Sequence, residues 1–311
     1  MILITGATGH IGNVLTKQLK EKDAAEEIRV LLLPQEDYSC LDGLGLEIVR
    51  GDIRSYEDVL SAVQGCDKVF HLAGMIDIGR KGLSSLYDVN VGGTRNVVDA
   101  CLACGVKRLV YVSSVHALPE PPRGQLIRES EDFPCSGLLG HYALSKSQAT
   151  AEVYRGIRSG LDAVIIFPTG IIGPDDYKFS ELGRVLLYGL QRPRRVMFGF
   201  QGEYDFVDVR DVASGLIAAM ERGKAGEGYL LSGHRISVSD LFRTVQGTMG
   251  CHPRMLNIPA FLIRLAAPFS EFFGSLFRQR PLLTPYSFAV LQSNCLVDGS
   301  KAARDLGYHP R

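Results

Sequence analysis

The chain has 311 residues, 46% of them hydrophobic, which is enough for a full core and excludes a disordered polypeptide. Thirty-four Lys and Arg balance thirty-four Asp and Glu, so the overall charge gives no ground for nucleic acid or an anionic membrane as partner. Seven scattered cysteines, an odd number lying mostly in apolar stretches, argue against a disulfide framework and suit the reduced thiols of a cytosol.

Met1 leads directly into the strand-like ILIT with no basic stretch or cleavage site, so no secretory signal is expected and the expected location is cytoplasmic. The strand opens into TGATGHIG, where Gly6, Gly9 and Gly12 are spaced three apart, and NVLTKQLKEK then reads as a helix. A glycine-rich turn between a first strand and a first helix lets the backbone approach a pyrophosphate, which the free amides and positive dipole of the helix N-terminus can hold. A turn that only packs helix on strand explains one glycine but not three.

Further along, IRVLLL, LEIVRG, KVFHLA, RLVYVSS and DAVIIFP each read as a short strand bounded by Gly, Asp or Pro and followed by a helical pattern such as SYEDVLSAVQG. With the first, they predict six parallel strands covered by helices on both faces, an α/β doubly wound sheet of the Rossmann kind. Within NVVDACLACGV, Cys101 and Cys104 form a CxxC, but no second pair or histidines lie nearby, so a buried helix face is expected and no metal. From Pro174 the pattern loosens into SELGRVLLYGL and a basic turn, QRPRR, before EYDFVDVRDVASGLIAAMERG returns as strand then helix. The predicted division is a dinucleotide-binding domain over residues 1–173, rejoined by 204–232, with a small substrate lobe from 174–203 and 233–311. Ile258 to Phe277 is strongly apolar but is interrupted by Arg264, Pro268 and Glu271, so it reads as a core helix of the small lobe and not as a membrane span.

Three stretches fall at the carboxyl ends of strands, where such a sheet places its ligand. Asp52 in GDI is placed to accept from an adenine amine, with Ile53 beside it, and Leu72, Ala73 and Gly74 present bare backbone where a cofactor passes. Ser114 closes the fifth strand, and Tyr142 and Lys146, four apart in HYALSK, share a helix face. Lys146 is thereby expected to reach the cofactor ribose and to lower the Tyr142 pKa, so that Tyr142 exchanges a proton with a substrate oxygen fixed by Ser114.

Together TGATGHIG, GDI, HLAG, DVNVGGTRNVVDAC, YVSS, YALSK, PTGIIGP and DFVDVRDVA resemble an extended short-chain dehydrogenase/reductase, of the NAD-dependent epimerase/dehydratase superfamily, from Met1 to about Ser232 and again in DGSKAARDLGYHPR. HLAGMIDIG and FPTGIIGP look more like the dihydroflavonol reductase and 3β-hydroxysteroid dehydrogenase branch than the sugar-nucleotide branch. The resemblance implies Ser114, Tyr142 and Lys146 as catalytic residues. It implies Gly6, Thr8, Gly9, His10, Ile11 and Gly12 at the cofactor phosphates, with Pro168, Thr169, Gly170 and Ile171 against the nicotinamide. Asn90 is expected to be structural first and catalytic second. Asp77, Val115, His116 and Tyr204 are candidates for substrate contact.

Leu33 stands where NADP-dependent relatives commonly carry Arg, and Glu36 and Asp37 follow, so NAD is the expected cofactor with NADP the alternative. Gly170 replaces the Asn usual in sugar-nucleotide enzymes, and Val115 and His116 replace the Asp-Glu pair of the dehydratases. The expected substrate is therefore a small hydrophobic ketone or alcohol. Against it stand Arg184, Arg192, Arg194 and Arg195, read here as a solvated turn. A homodimer built on the helices from Ser84 to Cys104 and around Tyr142 is also implied. A sugar-nucleotide epimerase and a non-catalytic redox sensor on the same fold remain as alternatives.

Overall fold

The computed structural model describes residues 1–76, 83–134, 136–191, 195–200, 202–258 and 293–311. Its centre is a parallel sheet formed by β1 (Ile2–Thr5), β2 (Ile28–Leu32), β3 (Glu47–Arg50), β4 (Lys68–His71), β5 (Arg108–Val112), β6 (Ala163–Pro168) and β10 (Gly228–Leu231). The strand order is β10-β6-β5-β4-β1-β2-β3, which reverses direction at β1 and leaves a crevice at the carboxyl ends of β1 and β4. Alternation along each strand sends side chains to two cores. Ile2 and Ile4 pack with α1 (His10–Lys22) and α7 (Val209–Arg222), whereas Leu3 packs with α2 (Tyr56–Val63), α4 (Gly93–Cys104) and α5 (Gly140–Arg158). The helices start where polar side chains cap them: Ser55 accepts from Asp58 N at α2, and Asp208 accepts from Arg210 N at α7.

The six predicted strands all form, but the sheet has a seventh. Gly228–Leu231 pairs with β6 and is completely buried, a short apolar run whose type periodicity does not reveal. The predicted return strand, β9 (Glu203–Asp208), does not rejoin this sheet, because β10 holds the place beside β6. Instead β9 pairs parallel with β7 (Gly170–Ile172) and antiparallel with β11 (His234–Ser237), and it is α7 and β10 that bring the segment 204–232 back onto the large sheet.

Beside this small sheet lie α6 (Glu181–Leu190) and α8 (Val238–Gly247), with a two-stranded pair of β8 (Val196–Phe200) and β12 (Arg254–Ile258). The closing residues also depart from the predicted division of the chain. In place of joining the small lobe, α9 (Ser300–Leu306) packs on α7 and β10, and Ala302, Leu306 and Tyr308 enter the α1–α7 core. Asp211 on α7 holds Arg311 through Nε at 2.7 Å and N at 2.8 Å, which ties the two segments together. Cys101 is fully buried in α4 and Cys104 is half-buried in its last turn. The apolar stretch 259–277 and Arg192 and Arg194 lie outside the described residues, and among the described residues no helix is long and apolar enough to cross a membrane.

Candidate active site

The turn after β1 is shaped by what its glycines touch. Gly6 has φ +75°, and a Cβ there would come 2.6 Å from the Ala73 backbone nitrogen, so the turn lies directly against the chain leaving β4. A Cβ on Gly12 would collide with the Gly6 carbonyl. Gly9 differs: its backbone is extended, and a Cβ would meet only the Gly6 oxygen, at 3.2 Å. Gly9 is also the N-cap of α1 and supplies no side-chain acceptor, so the first-turn amides of His10 and Ile11 have no side-chain cap. Bare backbone, uncapped donors and a positive helix end fit the pyrophosphate of a dinucleotide. Thr8 is buried, with its hydroxyl bonded to the Glu36 carboxylate.

Across the crevice, Leu72 N donates to Thr5 O (3.1 Å) and Ala73 N donates to Thr5 Oγ1 (3.2 Å). Gly74 lies close to Lys146: a Cβ on it would be 3.4 Å from Nζ. Asn90 sits in a π-helical turn, Asp88–Gly92, a distortion often found at functional sites. Its Oδ1 accepts from Met75 N at 2.7 Å, while Nδ2 donates to Met75 O at 3.0 Å and to Ser145 Oγ at 2.9 Å. Asn90 thus clamps the chain after β4 to the helix carrying the catalytic candidates, in line with its expected structural role.

Ser114 leaves the end of β5 and caps a short turn, its Oγ accepting from His116 N at 3.2 Å. From the facing helix α5, Tyr142 brings its phenol under the influence of the Ser114 hydroxyl. Lys146, one turn on, is buried; its Nζ donates to Val112 O at 2.8 Å and lies 3.4 Å from the Tyr111 hydroxyl and 5.0 Å from the centre of that ring. The electrostatics depart from expectation. Burial pushes the Tyr142 phenol up to about 12, with the Ser114 hydroxyl opposing, and burial brings Lys146 down to about 8. For the phenol, desolvation outweighs the opposing Ser114 hydroxyl. Beneath lies a neutral polar layer, in which fully buried His71, pushed down to about 3, bonds Thr5 Oγ1 (2.7 Å) and Thr94 Oγ1 (3.0 Å).

A cavity of about 400 Å³ adjoins this group, and its walls include Val115, His116, Ala143, Thr169 and Tyr204. Three of the four substrate candidates therefore share one pocket, while Asp77 lies outside the described residues. Tyr204 and His116, 88 residues apart, stack with ring centres 5.9 Å apart and join hydroxyl to Nε2 at 2.7 Å. Burial pushes His116 down to about 4, so it is neutral near pH 7. Gly170 belongs to this arrangement: a Cβ there would enter the Tyr204 ring. Thr169 directs its hydroxyl to Asp205 Oδ1 (2.6 Å), a buried carboxylate that also accepts from Gly233 N (2.8 Å).

Other candidates are occupied differently. Asp52 pairs with Arg54, whose hydrogen bonds hold its carboxyl below the ordinary range. Ile53 is buried against Gly93 of α4. Pro168 ends β6 in the core, and Ile171 on β7 packs against the α1–α7 core. Asp205 and Lys178 escaped the sequence reasoning. A buried charge among DFVD was the one available sign for Asp205; Lys178 sits in an irregular segment with no periodic signal.

The sequence profile described as NAD dependent epimerase/dehydratase family matches residues 2–232. A protein of Methylococcus capsulatus named sterol demethylase protein B is 32% identical over 314 residues, covering 99% of this chain and 93% of its own. The human 3 beta-hydroxysteroid dehydrogenase type 7 is 30% identical over 339 residues, covering 99% of this chain and 90% of its own. The crystal structure of gox2253 superposes with a TM-score of 0.84 at 32% identity, covering 100% of this chain and 93% of that one. With its glycine turn, doubly wound sheet and Ser-Tyr-Lys group, the chain belongs to the NAD dependent epimerase/dehydratase family, the extended short-chain dehydrogenases/reductases, and is an NAD-dependent oxidoreductase of that family.

Proposed function

We propose that the protein interconverts a ketone and a secondary alcohol on a hydrophobic substrate, with Ser114, Tyr142 and Lys146 as its catalytic residues. The observation that carries this reading is the Ser114 hydroxyl acting on the buried Tyr142 phenol beside a pocket with Val115, Leu118, Ile127 and Ala143 in its walls. NAD, bound along the glycine turn, supplies hydride acceptance and, when reduced, hydride donation. Ser114 and Tyr142 offer two hydroxyls to one substrate oxygen, and Tyr142, neutral near pH 7, holds the proton that a carbonyl oxygen takes as it becomes an alcohol. Lys146 supports the ribose side and is a positioning group for that proton. Each Å² of ring or alkyl surface removed from water contributes roughly 25 cal/mol.

The pocket's charge disfavours a nucleotide sugar. Among the described residues lining it there is no Lys or Arg, while Glu120 and Asp205 are present, and a diphosphate entering would meet negative charge without a compensating cation. Nor does a redox sensor require a proton donor at this position. The protein is further proposed to act as a homodimer through α4 and α5.

A cofactor-oxidation screen that sets steroid, flavonoid and aryl ketones beside sugar nucleotides tests the assignment. Turnover is expected with apolar ketones alone; turnover of a sugar nucleotide with every ketone inert rejects it. In the same assay Tyr142→Phe is expected to lose about 10²–10⁴-fold or more in rate while binding NADH nearly as the wild type does. Retained activity would remove Tyr142 from the mechanism.

A further inference from the structure

A second cavity, of about 410 Å³, is walled by Thr8, Glu36, Asp37, Ser39, Tyr177 and Lys178. Its walls come from three separate parts of the chain: the glycine turn, the residues leaving β2, and the segment 174–178 that follows β7. That segment is laid along α1. His10 Nε2 lies 2.9 Å from the Pro174 carbonyl oxygen, Asn13 Nδ2 donates to Asp175 O at 3.0 Å, and Lys17 Nζ pairs with the Asp175 carboxylate at 3.0 Å. Asp175 at φ +66° and Phe179 at φ +48° take a left-handed backbone that residues other than glycine rarely adopt, so tertiary contacts and not local preference direct its course.

The segment delivers a cation to the glycine turn. Lys178 Nζ reaches Glu36 Oε1 at 2.6 Å, across 142 residues of sequence, and Thr8 Oγ1 at 2.8 Å. The Thr8 hydroxyl also bonds Glu36 Oε1, and Leu33 N donates to Oε2 at 3.1 Å. Burial works against charge on Glu36, yet the bonds from Lys178, Thr8 and Leu33 N together hold its carboxyl below the ordinary value. The carboxylate is therefore both ionised and fixed in direction.

In a doubly wound sheet the residues leaving β2 meet the adenosine ribose of the dinucleotide, and an acid there accepts from the ribose hydroxyls. Glu36 alone accounts for discrimination against a ribose 2′-phosphate. It does not account for the ammonium group 2.6 Å from it, which is the counter-charge a phosphate requires. We propose that Lys178 is a cofactor-selectivity residue: paired with Glu36 it orients the carboxylate toward a ribose diol, and released from Glu36 it is the cation that receives a 2′-phosphate. The inference rests on the dinucleotide reading of the glycine turn. It assigns the balance between the two cofactors to the Glu36–Lys178 pair, not to the acid alone.

Direct titration of the full chain with NADH and NADPH, followed by nucleotide fluorescence, tests it without any need for turnover. Lys178→Met is expected to weaken NADH binding several-fold and NADPH binding more steeply, widening the preference for NADH, and Lys178→Arg to restore both. Glu36→Gln is expected to tighten NADPH binding by about tenfold or more, the order of a charge-assisted bond. The double variant Glu36→Gln/Lys178→Met should lose that gain. Unchanged dissociation constants in Lys178→Met, or an equal NADPH gain with and without Lys178, overturns the proposal while leaving the dinucleotide site standing. Absence of binding of either nucleotide to the wild type overturns the site itself and the proposal with it.

Discussion

Lys146 bears the heaviest electrostatic cost among the catalytic candidates, because its ammonium group is buried with neutral partners only, the Val112 carbonyl and the Tyr111 hydroxyl. Its folded value, about 8, lies below the ordinary 10.5. Between those two values the unfolded chain binds more protons than the folded one, so stability rises with pH through that window. Below about 8 the cost is present in full: a drop from 10.5 to about 8, at about 1.4 kcal/mol per unit, is about 3 to 4 kcal/mol. Lys146→Met is therefore expected to unfold at higher urea concentration than the wild type at pH 7 while losing activity, with the advantage fading as the pH approaches 10.5. A variant no more stable than the wild type at pH 7 contradicts the account. The one-turn separation of Tyr142 and Lys146 was readable because helix periodicity relates positions four apart, and the place of Ser114 because it closes a strand. The direction of the Tyr142 shift was not, since desolvation depends on everything packed around the phenol.

At the scale of elements, β1, its turn and α1 form the part most legible in sequence, and each glycine there has its own reason. Gly6 and Gly12 are needed for the fold, since a Cβ on either meets backbone. Gly9 is less constrained: its φ of −73° suits alanine, and an added Cβ would meet the Gly6 oxygen alone, at 3.2 Å, a tight contact that a shift of a few tenths of an ångström relieves. Gly9→Ala is expected to leave the melting temperature within about 2 °C of wild type, a change of under about 1 kcal/mol. It should weaken NADH binding by about tenfold, or about 1.4 kcal/mol, because the methyl occupies the approach of the pyrophosphate. Calorimetry and fluorescence titration read the two effects separately, and unchanged affinity would place the phosphates elsewhere. The elements misjudged from sequence, β9 and β10, are both short, and β10 is wholly and β9 mostly buried. For such strands composition leaves the type unread, as at β10, or gives the type without the partner, as at β9, and pairing is decided by which sheet edge is open.

For the whole molecule, α4 and α5 lie side by side, linked across their surface by Arg95–Glu152 at 2.7 Å and Arg155–Asp99 at 2.6 Å. These ion pairs are complete within one chain, so a second copy placed over the helices would not have to supply counter-charges, and two-fold pairing is the default for assemblies of identical chains. Light scattering is expected to give twice the mass of the chain; a monomer mass at working concentration rejects the dimer. What the sequence determined by itself is local or periodic: six of the seven strands of the large sheet, the glycine turn, the one-turn separation of Tyr142 and Lys146, and Ser114 at a strand end. Each follows from backbone sterics or helix pitch acting over a few residues. The tertiary structure alone decided that β10 takes the place beside β6. It also decided that His116 meets Tyr204 across 88 residues and that Lys178 meets Glu36 across 142. Burial then shifted the pKa values of Tyr142 upward and of Lys146 and His116 downward. These depend on close packing between segments distant in sequence, where an added methyl at Gly170 or a different sheet neighbour changes the outcome and no local pattern records it.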